Sequence, residues 1–284
     1  MFSFADLVAN MSDKTATSIP PMPGRAAWIQ SGVVQHTLQY VAAIAVGLAV
    51  WTLVAHRFDI TTFPNPLQTL EEFIRLIANG QLAEHAGYSA FRIVIGFLIG
   101  CAIGVPVGLS MGVSEWFRRA LEPLTEFLRF VPAISMVVFA LIWFGVGETS
   151  KIFLIIFNTT FIVIINTEAG VQAVNRNALR AAAMLGASPL KQFHLVVVPA
   201  TVPYIITGMR IAMGRSFTTI AAAEIVGASA GVGSMIFGAR QFGRMDTVLV
   251  GILTLAIMGL IIDTLFRWLA RRITGEYGSS LFRG

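Results

Sequence analysis

Charge and cysteine are scarce in this sequence of 284 residues. Acidic and basic side chains make up 12% of the chain, about half of the share that is usual in soluble domains. The single cysteine, Cys101, cannot form an intramolecular disulfide, which excludes a disulfide-stabilised secreted module. No GxxxxGK[ST], GxSxG or HExxH motif is present, and the four histidines lack metal-ligand spacing. The sequence therefore predicts no catalytic, cofactor or metal site in this chain.

Apolar residues, by contrast, make up 56% of the chain, more than a soluble fold of this length can bury. A membrane-spanning helix needs about 20 mostly apolar residues, and six stretches meet this requirement. The predicted spans are residues 37–55, 90–112, 129–146, 150–171, 202–224 and 247–268. We therefore predict an all-α integral membrane protein with a bundle of six transmembrane helices.

The basic residues predict the orientation of these spans. If the N-terminus is cytoplasmic, the inner segments hold 11 basic residues and the outer segments hold 5. Since cytoplasmic loops carry the excess of lysine and arginine, both termini are expected in the cytoplasm. Residues 1–36 lack the apolar core of a cleavable signal peptide and are predicted, like residues 271–284, to be a cytoplasmic tail.

The segment 56–89 is then predicted to lie outside the membrane and to contain an amphipathic helix. Apolar side chains recur there at helical spacing, and charged residues occupy the other side. The apolar set is Leu67, Leu70, Phe73, Ile74 and Ile77, and the charged set is Glu71, Glu72 and Arg75.

The second predicted span carries a glycine at every fourth position over five positions: Gly96, Gly100, Gly104, Gly108 and Gly112. This spacing places the glycines near one helix face, where another backbone can approach closely. It predicts a packing seam between helices, with the lining of a transport path as the alternative.

Charged residues at membrane depth are costly and are usually paired or functional. We expect most of them to reach the interface or to form ion pairs; they are Arg92, Glu126, Arg129, Glu168, Arg210, Arg215, Glu224 and Asp263. Glu224 differs because it precedes a glycine-rich segment that ends a helix. Glu224, Gly231 and Gly233 are therefore candidates for a gate.

The cytoplasmic loop 172–201 reads as two short helices joined by a sharp corner. Asn177 is predicted to cap the first helix, and Gly186 to end it in the left-handed conformation. Ser188 is expected to cap a second helix that Pro199 ends, with Pro203 opening the next span. A thin, alanine-rich helix in such a loop suits insertion into a partner's groove, although it could also pack beneath its own bundle.

This loop carries a resemblance to a known family. Arg180-Ala181-Ala182-x-x-x-Gly186 followed by Val198-Pro199 resembles the EAA-x-x-x-G…LP signature of permease subunits of bacterial ABC importers, with Arg180 in place of the glutamate. Further segments across about residues 60–275 are similar to the nitrate/sulfonate/taurine branch. They are Phe63–Pro66, Gly96–Gly112, Arg129–Pro132, Ile142–Glu148, Thr207–Arg210 and Ala223-Glu224.

The resemblance implies the MetI-like type I importer permease fold, with residues 90–270 as the core domain. It implies a subunit that forms the translocation path for a small organic or inorganic anion, in the bacterial inner membrane. The implied partners are a second copy of the chain, two cytoplasmic ATPase subunits that bind ATP and Mg²⁺, a periplasmic or lipid-anchored binding protein, and lipid, but no nucleic acid.

The resemblance also assigns residues to roles. The loop 176–192 would be the ATPase-coupling segment, and the residues expected to carry coupling are Arg180, Ala181, Ala182, Gly186, Ala187, Ser188 and Pro199. Helical spacing in the third and fifth spans suggests path-lining faces, with a bundle core as the equal alternative. These faces contain Met136, Phe139, Trp143, Met213, Ser216 and Phe217. An ion-coupled secondary transporter is the alternative function, ahead of a membrane scaffold or enzyme.

Overall fold

The computed structural model describes residues 25–58 and 62–274, and the side chains of residues 38–58 and 62–272. Within these residues the ordered elements are all helical. They are α1 (Arg25–Ala55), α2 (Pro66–Ala78), α3 (Gln81–Val113), α4 (Glu115–Leu128), α5 (Val137–Phe144), α6 (Glu148–Gln172), α7 (Arg176–Met184), α8 (Pro189–Gln192), α9 (Val198–Ile225), α10 (Val232–Gln241) and α11 (Met245–Thr274).

The chain divides at Arg57 into two compact units, of which the first contains α1 and the second contains the other helices. The predicted tails lie outside the described residues over 1–24 and 275–284. Over the described part of the chain, five helical stretches are long and apolar enough to cross a membrane: Leu38–Ala55, Gln81–Val113, Glu148–Gln172, Pro189–Ile225 and Met245–Arg272. The predicted all-α membrane fold is therefore confirmed.

The prediction that residues 129–146 form a single straight membrane span is wrong. The chain bends by 90° between Glu115–Leu128 and Ala133–Phe144, and only this bent pair together provides a sixth span. Pro132 lies at the break with an extended backbone, followed by a 3₁₀ turn at Ala133–Met136 that leads into α5. The break arises because proline cannot donate a backbone hydrogen bond, and it disfavours a helical conformation at Val131.

The fifth predicted span begins earlier than residue 202, because neither Pro199 nor Pro203 interrupts the helix. A π-helical turn at Phe193–Val197 joins α8 to α9, so that the helical stretch is continuous from Pro189 to Ile225. Pro199 lies in the first turn of α9, and Pro203 lies inside this helix. The prediction that Pro199 ends a helix and Pro203 opens one is therefore wrong.

The glycine seam of α3 packs against α6, which confirms the packing interpretation. A Cβ atom added to Gly96 would lie 2.7 Å from Cβ of Ile155, and one added to Gly104 would lie 2.9 Å from Cβ of Val163. The five glycines face, in order, five residues that are also spaced by four: Ile155, Thr159, Val163, Thr167 and Val171. Because both series ascend together, α3 and α6 run parallel at backbone contact.

Helix α9 completes the core of the second unit. Its buried residues Ala212, Met213 and Ile220 pack with Phe97 of α3 and Ile155 of α6. Gly208 approaches Asn166 of α6 so closely that an added Cβ would lie 2.6 Å from the Cβ of Asn166. The three helices α3, α6 and α9 thus form the packed centre of the second unit.

Helix α2 confirms the predicted amphipathic helix and shows how it is held. It is capped by Asn65 and Gln68, whose side chains each accept a hydrogen bond from the other residue's backbone N–H. Glu72 is buried, and its Oε1 accepts hydrogen bonds from Arg244 Nη2 at 2.6 Å and Thr247 Oγ1 at 2.7 Å. Leu67 and Ile74 of the predicted apolar set are exposed, whereas Phe73 packs against a buried cluster that contains Leu76. The helix is therefore held both by Glu72 and by the buried Leu76.

Candidate functional site

A charge cluster with a buried centre lies where α3, α6 and α9 meet at one end of the core; Arg92 and Glu224 are buried and Glu148 is 46% exposed. At its centre is Arg92, which has no exposed surface. Its Nη2 donates to Glu148 Oε1 at 2.7 Å, and its Nη1 donates to Glu224 Oε1 at 2.6 Å. Nε of Arg92 donates to the other Glu148 oxygen, so Glu148 is bound in a bidentate manner, while Glu224 accepts one hydrogen bond from the same guanidinium.

The same arginine holds the segment that follows α9. Nη1 of Arg92 also donates to the carbonyl oxygen of Ala230 at 2.7 Å. The hydroxyl oxygen of Ser89 lies 2.8 Å from Glu224 Oε1 and accepts the backbone N–H of Val232 at 2.9 Å. His85 Nδ1 accepts the N–H of Gly231 at 3.0 Å, which assigns the proton of a neutral ring to Nε2. The loop 226–231 is thus attached to α3 by hydrogen bonds.

Both glycines of the predicted gate, Gly231 and Gly233, contact Glu224. Gly231 has φ of +129°, and a Cβ added there would overlap the Glu224 carboxylate. The N–H of Gly233 donates to Glu224 Oε2 at 2.8 Å, and an added Cβ would lie 2.9 Å from the Cβ of Glu224. The structure thus brings Glu224, Gly231 and Gly233 together at one point, while their gating role stays a prediction.

Most other charged residues of the spans are paired, as expected. Arg129 lies 2.7 Å from Glu126, Arg210 lies 3.0 Å from Asp263, and Glu168 accepts a hydrogen bond from Gln172. Arg215 is the exception among those eight, because its guanidinium has no hydrogen bond or ion pair with the described residues.

The predicted coupling loop forms two short helices, with one capping residue different from the prediction. The cap of α7 is Asn175, whose side chain accepts the N–H of Asn177 at 2.8 Å, so the assignment of Asn177 was wrong by two residues. An Asx side chain accepts from the second residue after it, and Asn177 is already inside the helix. Ser188 caps α8 as predicted, accepting from the N–H of Lys191.

Gly186 ends α7 as predicted, with φ of +77°. Its N–H donates to the carbonyl of Ala183, and the N–H of Ala187 donates to the carbonyl of Ala182. These two bonds make a Schellman motif, which satisfies carbonyl groups that the helix end would otherwise leave open. Ala182, Gly186 and Ala187 therefore have a defined structural role in the corner.

The apolar side chains at this corner are unusually exposed to solvent. No side chain of α7 is buried, and Met184 and Leu185 are 89% and 88% exposed. Arg180 and Ala181 are also exposed, while Pro199 is half-buried at the start of α9. The alternative in which α7 packs beneath its own bundle does not fit this exposure.

The predicted path residues divide into two groups. Phe139 and Trp143 of α5 are exposed, and Met136 packs against the buried cluster around Leu154 and Ala223. Met213 and Ser216 are buried, and Phe217 packs against the same core. Met213 and Ser216 are therefore buried within one chain, as the bundle-core alternative expects. A lining role stays a prediction for the six residues, of which Phe139 and Trp143 are the exposed ones.

Sequence reasoning missed several members of the charge cluster. The sequence indicates Glu148 only as part of a motif, and it does not indicate His85, Ser89 or Lys151, whose Nζ lies 3.8 Å from Glu148 Oε1. His85, Ser89 and Arg92 are spaced by four and three, which places them on one helix face and could have indicated a shared site. Their partners on α6 and in the loop 226–231 required the tertiary structure.

Comparison with known proteins places the chain among membrane transport components. Residues 104–275 match the protein family described as binding-protein-dependent transport system inner membrane component. A relative named for aliphatic sulfonates transport, the permease protein SsuC of Escherichia coli (strain K12), is 37% identical over 226 residues, which cover 79% of this chain and 86% of that protein. The taurine transport system permease protein TauC of the same organism is 36% identical over 245 residues, covering 84% and 89%.

The fold has a counterpart among solved structures. An inward-facing structure of the MetNI methionine ABC transporter contains a chain with a TM-score of 0.58 and 18% identity, and the match covers 69% of this chain and 96% of that one. At this identity the likeness concerns the fold alone.

Proposed function

This chain belongs to the family of binding-protein-dependent transport system inner membrane components and is a permease of an ABC importer, and we propose that its solute is a small sulfonate-type anion. The names of SsuC and TauC, which refer to aliphatic sulfonates and taurine, support this substrate class. The observation that carries the coupling mechanism is the exposed, rigid corner that ends α7 at Gly186.

Helix α7 is proposed as the contact with a cytoplasmic ATPase subunit. Two nearly fully exposed apolar side chains, Met184 and Leu185, stand beside a hydrogen-bonded turn. Exposed apolar side chains next to a well-ordered corner are expected to insert into a partner's groove, where they leave water. Since the sequence contains no nucleotide-binding motif, ATP and Mg²⁺ would be bound by that partner.

A second copy of this chain and a soluble binding protein complete the proposed assembly. The path would form between two copies, with the solute delivered at the outer surface and both termini in the cytoplasm, in the bacterial inner membrane. ATP binding would draw the two α7 helices together and change which side of the path is open. Such a change requires two discrete states that the nucleotide favours unequally.

The charge cluster is proposed to hold the loop 226–231 in one of these states. Arg92 links Glu148, Glu224 and the carbonyl of Ala230, so the loop cannot move away without loss of a buried, charge-assisted hydrogen bond. Loss of that bond without compensation is costly in a buried site. The cluster therefore favours discrete loop positions over gradual displacement.

Site-specific cross-linking tests the proposed role of α7. A Leu185→Cys variant in a Cys101→Ala background should cross-link to the ATPase subunit when the two are co-expressed, because Leu185, directly after α7, is 88% exposed. The matched control is Phe242→Cys, since Phe242 is 82% exposed but lies on the predicted outer side after α10. Labelling of Leu185→Cys by a membrane-impermeant reagent added outside intact cells would overturn the proposal.

A further inference from the structure

A cavity of about 290 Å³ lies between α6, α9 and the bend that follows α4. Two arginines line it, Arg129 at the bend and Arg215 on α9, together with Asn158 and Asn166 of α6. Neither aspartate nor glutamate lines it. The remaining walls are apolar and include Phe157 and Phe161. The cavity thus combines cationic and amide groups with aromatic surface.

The cavity lies at membrane depth. Arg215 is ten residues before the end of α9, and Asn158 is ten residues after the start of α6. Each is therefore about 15 Å along its helix from that end, at 1.5 Å per residue. The neighbouring residues Thr159 and Ser216 approach each other to 3.4 Å, which places Asn158 and Arg215 at the same level.

Two polar groups at this level lack partners in the part of the chain that the structure describes. The guanidinium of Arg215 makes no hydrogen bond or ion pair. Nδ2 of Asn158 is buried and has no hydrogen-bond acceptor. An unpaired arginine in a membrane-spanning helix and an unpaired buried amide are both costly, and a bound ligand with acceptor oxygens would relieve both costs.

The other arginine is already partly neutralised. Arg129 pairs with Glu126 at 2.7 Å, and its guanidinium lies 4.5 Å from the centre of the Phe130 ring. The free positive charge of the cavity is therefore that of Arg215. Arginine and an amide N–H are both donors, and a sulfonate head offers three acceptor oxygens to them.

We infer that this cavity is a binding site for a small organic anion within the membrane, with its sulfonate head on Arg215 and Asn158 and its alkyl part against Phe157 and Phe161. The volume lies near the lower end of the range of about 300–1,000 Å³ for small-molecule sites, which favours a short chain. This inference rests on the proposed function and adds a site on the permease itself. The aromatic wall predicts that an alkyl sulfonate binds more tightly than bare nitrate.

Ligand-observed NMR on the permease with its ATPase in lipid nanodiscs, without binding protein, tests the site. Ethanesulfonate should show saturation transfer, nitrate should compete for it weakly, and the cation ethyltrimethylammonium should not bind. Arg215→Gln should weaken ethanesulfonate binding by about tenfold or more, because it removes a charge-assisted hydrogen bond. Asn158→Leu should weaken it as well, and Arg215→Lys should give an intermediate affinity because it keeps the charge and loses the planar fork.

Arg210→Gln is the matched control. Arg210 is on the same helix but pairs with Asp263 and does not line the cavity, so its replacement should leave ethanesulfonate binding unchanged. If Arg215→Gln does not fold, Arg215→Lys and Asn158→Leu carry the test. Unchanged affinity in the folded variants, or equal binding of the cation, would overturn the inference. So would a loss of dimer in Arg215→Gln with binding retained, since Arg215 would then pair with a second copy.

ATP-driven uptake by the wild-type transporter separates the two claims. Import of sulfonate together with unaltered binding in the cavity variants means that the inference is wrong while the proposed function holds. Import of no anion at all, together with Arg215-dependent ethanesulfonate binding, means that the cavity assignment holds while the proposed transport function is wrong.

Discussion

Arg92 shows how much a single side chain can organise in a membrane protein. It is completely buried, and it joins Glu148 on α6 and Glu224 on α9 to the loop 226–231. A buried ion pair contributes little net stability relative to an apolar replacement of both partners, but loss of one partner leaves an uncompensated charge. The contribution of Arg92 is to fix one arrangement of α3, α6, α9 and the loop 226–231.

Replacement of Arg92 alone should therefore be severe. Arg92→Gln leaves the buried carboxylate of Glu224 without its cation, and we expect a loss of roughly 3–5 kcal/mol in stability. Arg210→Gln is the matched control, because the pair of Arg210 with Asp263 is partly exposed and should contribute less than about 1 kcal/mol. Thermal unfolding of both purified variants in detergent measures the difference. Equal melting temperatures would mean that the cluster does not hold the core.

The sequence predicted which residues were unusual at this scale, but not their partners. Glu224, Gly231 and Gly233 stood out because a helix end met a glycine-rich segment. That Arg92 contacts Glu224 depends on a packing of helices separated by 132 residues, which no local pattern encodes. Likewise, only the structure distinguishes Arg210, which pairs with Asp263, from Arg215, which has no partner among the described residues, since both occur in apolar helical sequence.

At the scale of single elements, α3 was the most predictable helix. Its glycine spacing predicted a seam, and the seam contacts α6 at five successive positions. The bend after α4 was less predictable, because residues 129–146 are apolar enough for a span and only Pro132 indicated a break. Hydropathy reports composition along the chain, whereas a bend depends on backbone geometry at one or two residues.

The seam predicts a large effect for the smallest possible substitution. Gly104→Ala adds one methyl group that would lie 2.9 Å from Cβ of Val163 and 3.0 Å from the carbonyl oxygen of Thr160. The helices must separate, and we expect a loss of about 1–3 kcal/mol. Gly259→Ala in α11 is the control, since no atom lies within 4 Å of the added Cβ and alanine favours helix. A Gly104→Ala variant as stable as Gly259→Ala would disprove the close approach of α3 and α6.

The attachment of α2 should depend on pH through Glu72. Burial alone would raise the pKa of the Glu72 carboxyl, but hydrogen bonds from Arg75 and Thr247 and the charge of Arg244 outweigh it and lower this pKa below its ordinary value of 4.5. The stabilisation by the carboxylate is therefore complete above pH of about 4.5 and is lost as the pH falls through the lowered pKa.

We expect Glu72→Gln to be less stable than the wild type at pH 7 by about 1–2 kcal/mol, because hydrogen bonds to a charged group are lost. The difference should begin to shrink as the pH falls below about 4.5, where the carboxyl of the unfolded chain takes up a proton, and should disappear below the lowered pKa of the folded state. Melting temperatures across this range measure it. Glu71→Gln, on the exposed side of α2, should match the wild type throughout. A constant gap between Glu72→Gln and the wild type would exclude ionisation as the cause.

A valine substitution at Gly186, in the corner after α7, should impair coupling to ATP hydrolysis without impairing folding. Gly186 has φ of +77° but open space around it, so a side chain there is disfavoured only by backbone strain. Gly186→Val should strain the corner by about 1–2 kcal/mol or more and lower the uptake per ATP hydrolysed, with normal insertion. Gly186→Asn is the matched control and should retain coupling, because asparagine tolerates the left-handed conformation. Similar coupling ratios in reconstituted vesicles for both variants would contradict the role of the corner.

For the whole molecule, the sequence predicted the fold class and the protein family more accurately than the positions where helices begin and end. Apolar content and span length predicted a helical membrane protein, and the corner motif identified the permease family. Helix ends were less certain, since α3 begins at Gln81 instead of residue 90 and the fifth span at Pro189 instead of residue 202. Helices can extend beyond the apolar core of a bilayer, so hydropathy alone does not define where they end.

The central claim is that this chain moves its solute only with a partner that hydrolyses ATP, through contact at α7. Uptake of radiolabelled ethanesulfonate into vesicles, with the permease, its ATPase and its binding protein, tests this claim most directly when ATP and ion gradients are varied independently. Uptake should require ATP and the ATPase and should persist after ionophores dissipate all gradients. Gradient-driven uptake by the chain alone, without ATPase or ATP, would contradict it and indicate an ion-coupled secondary transporter.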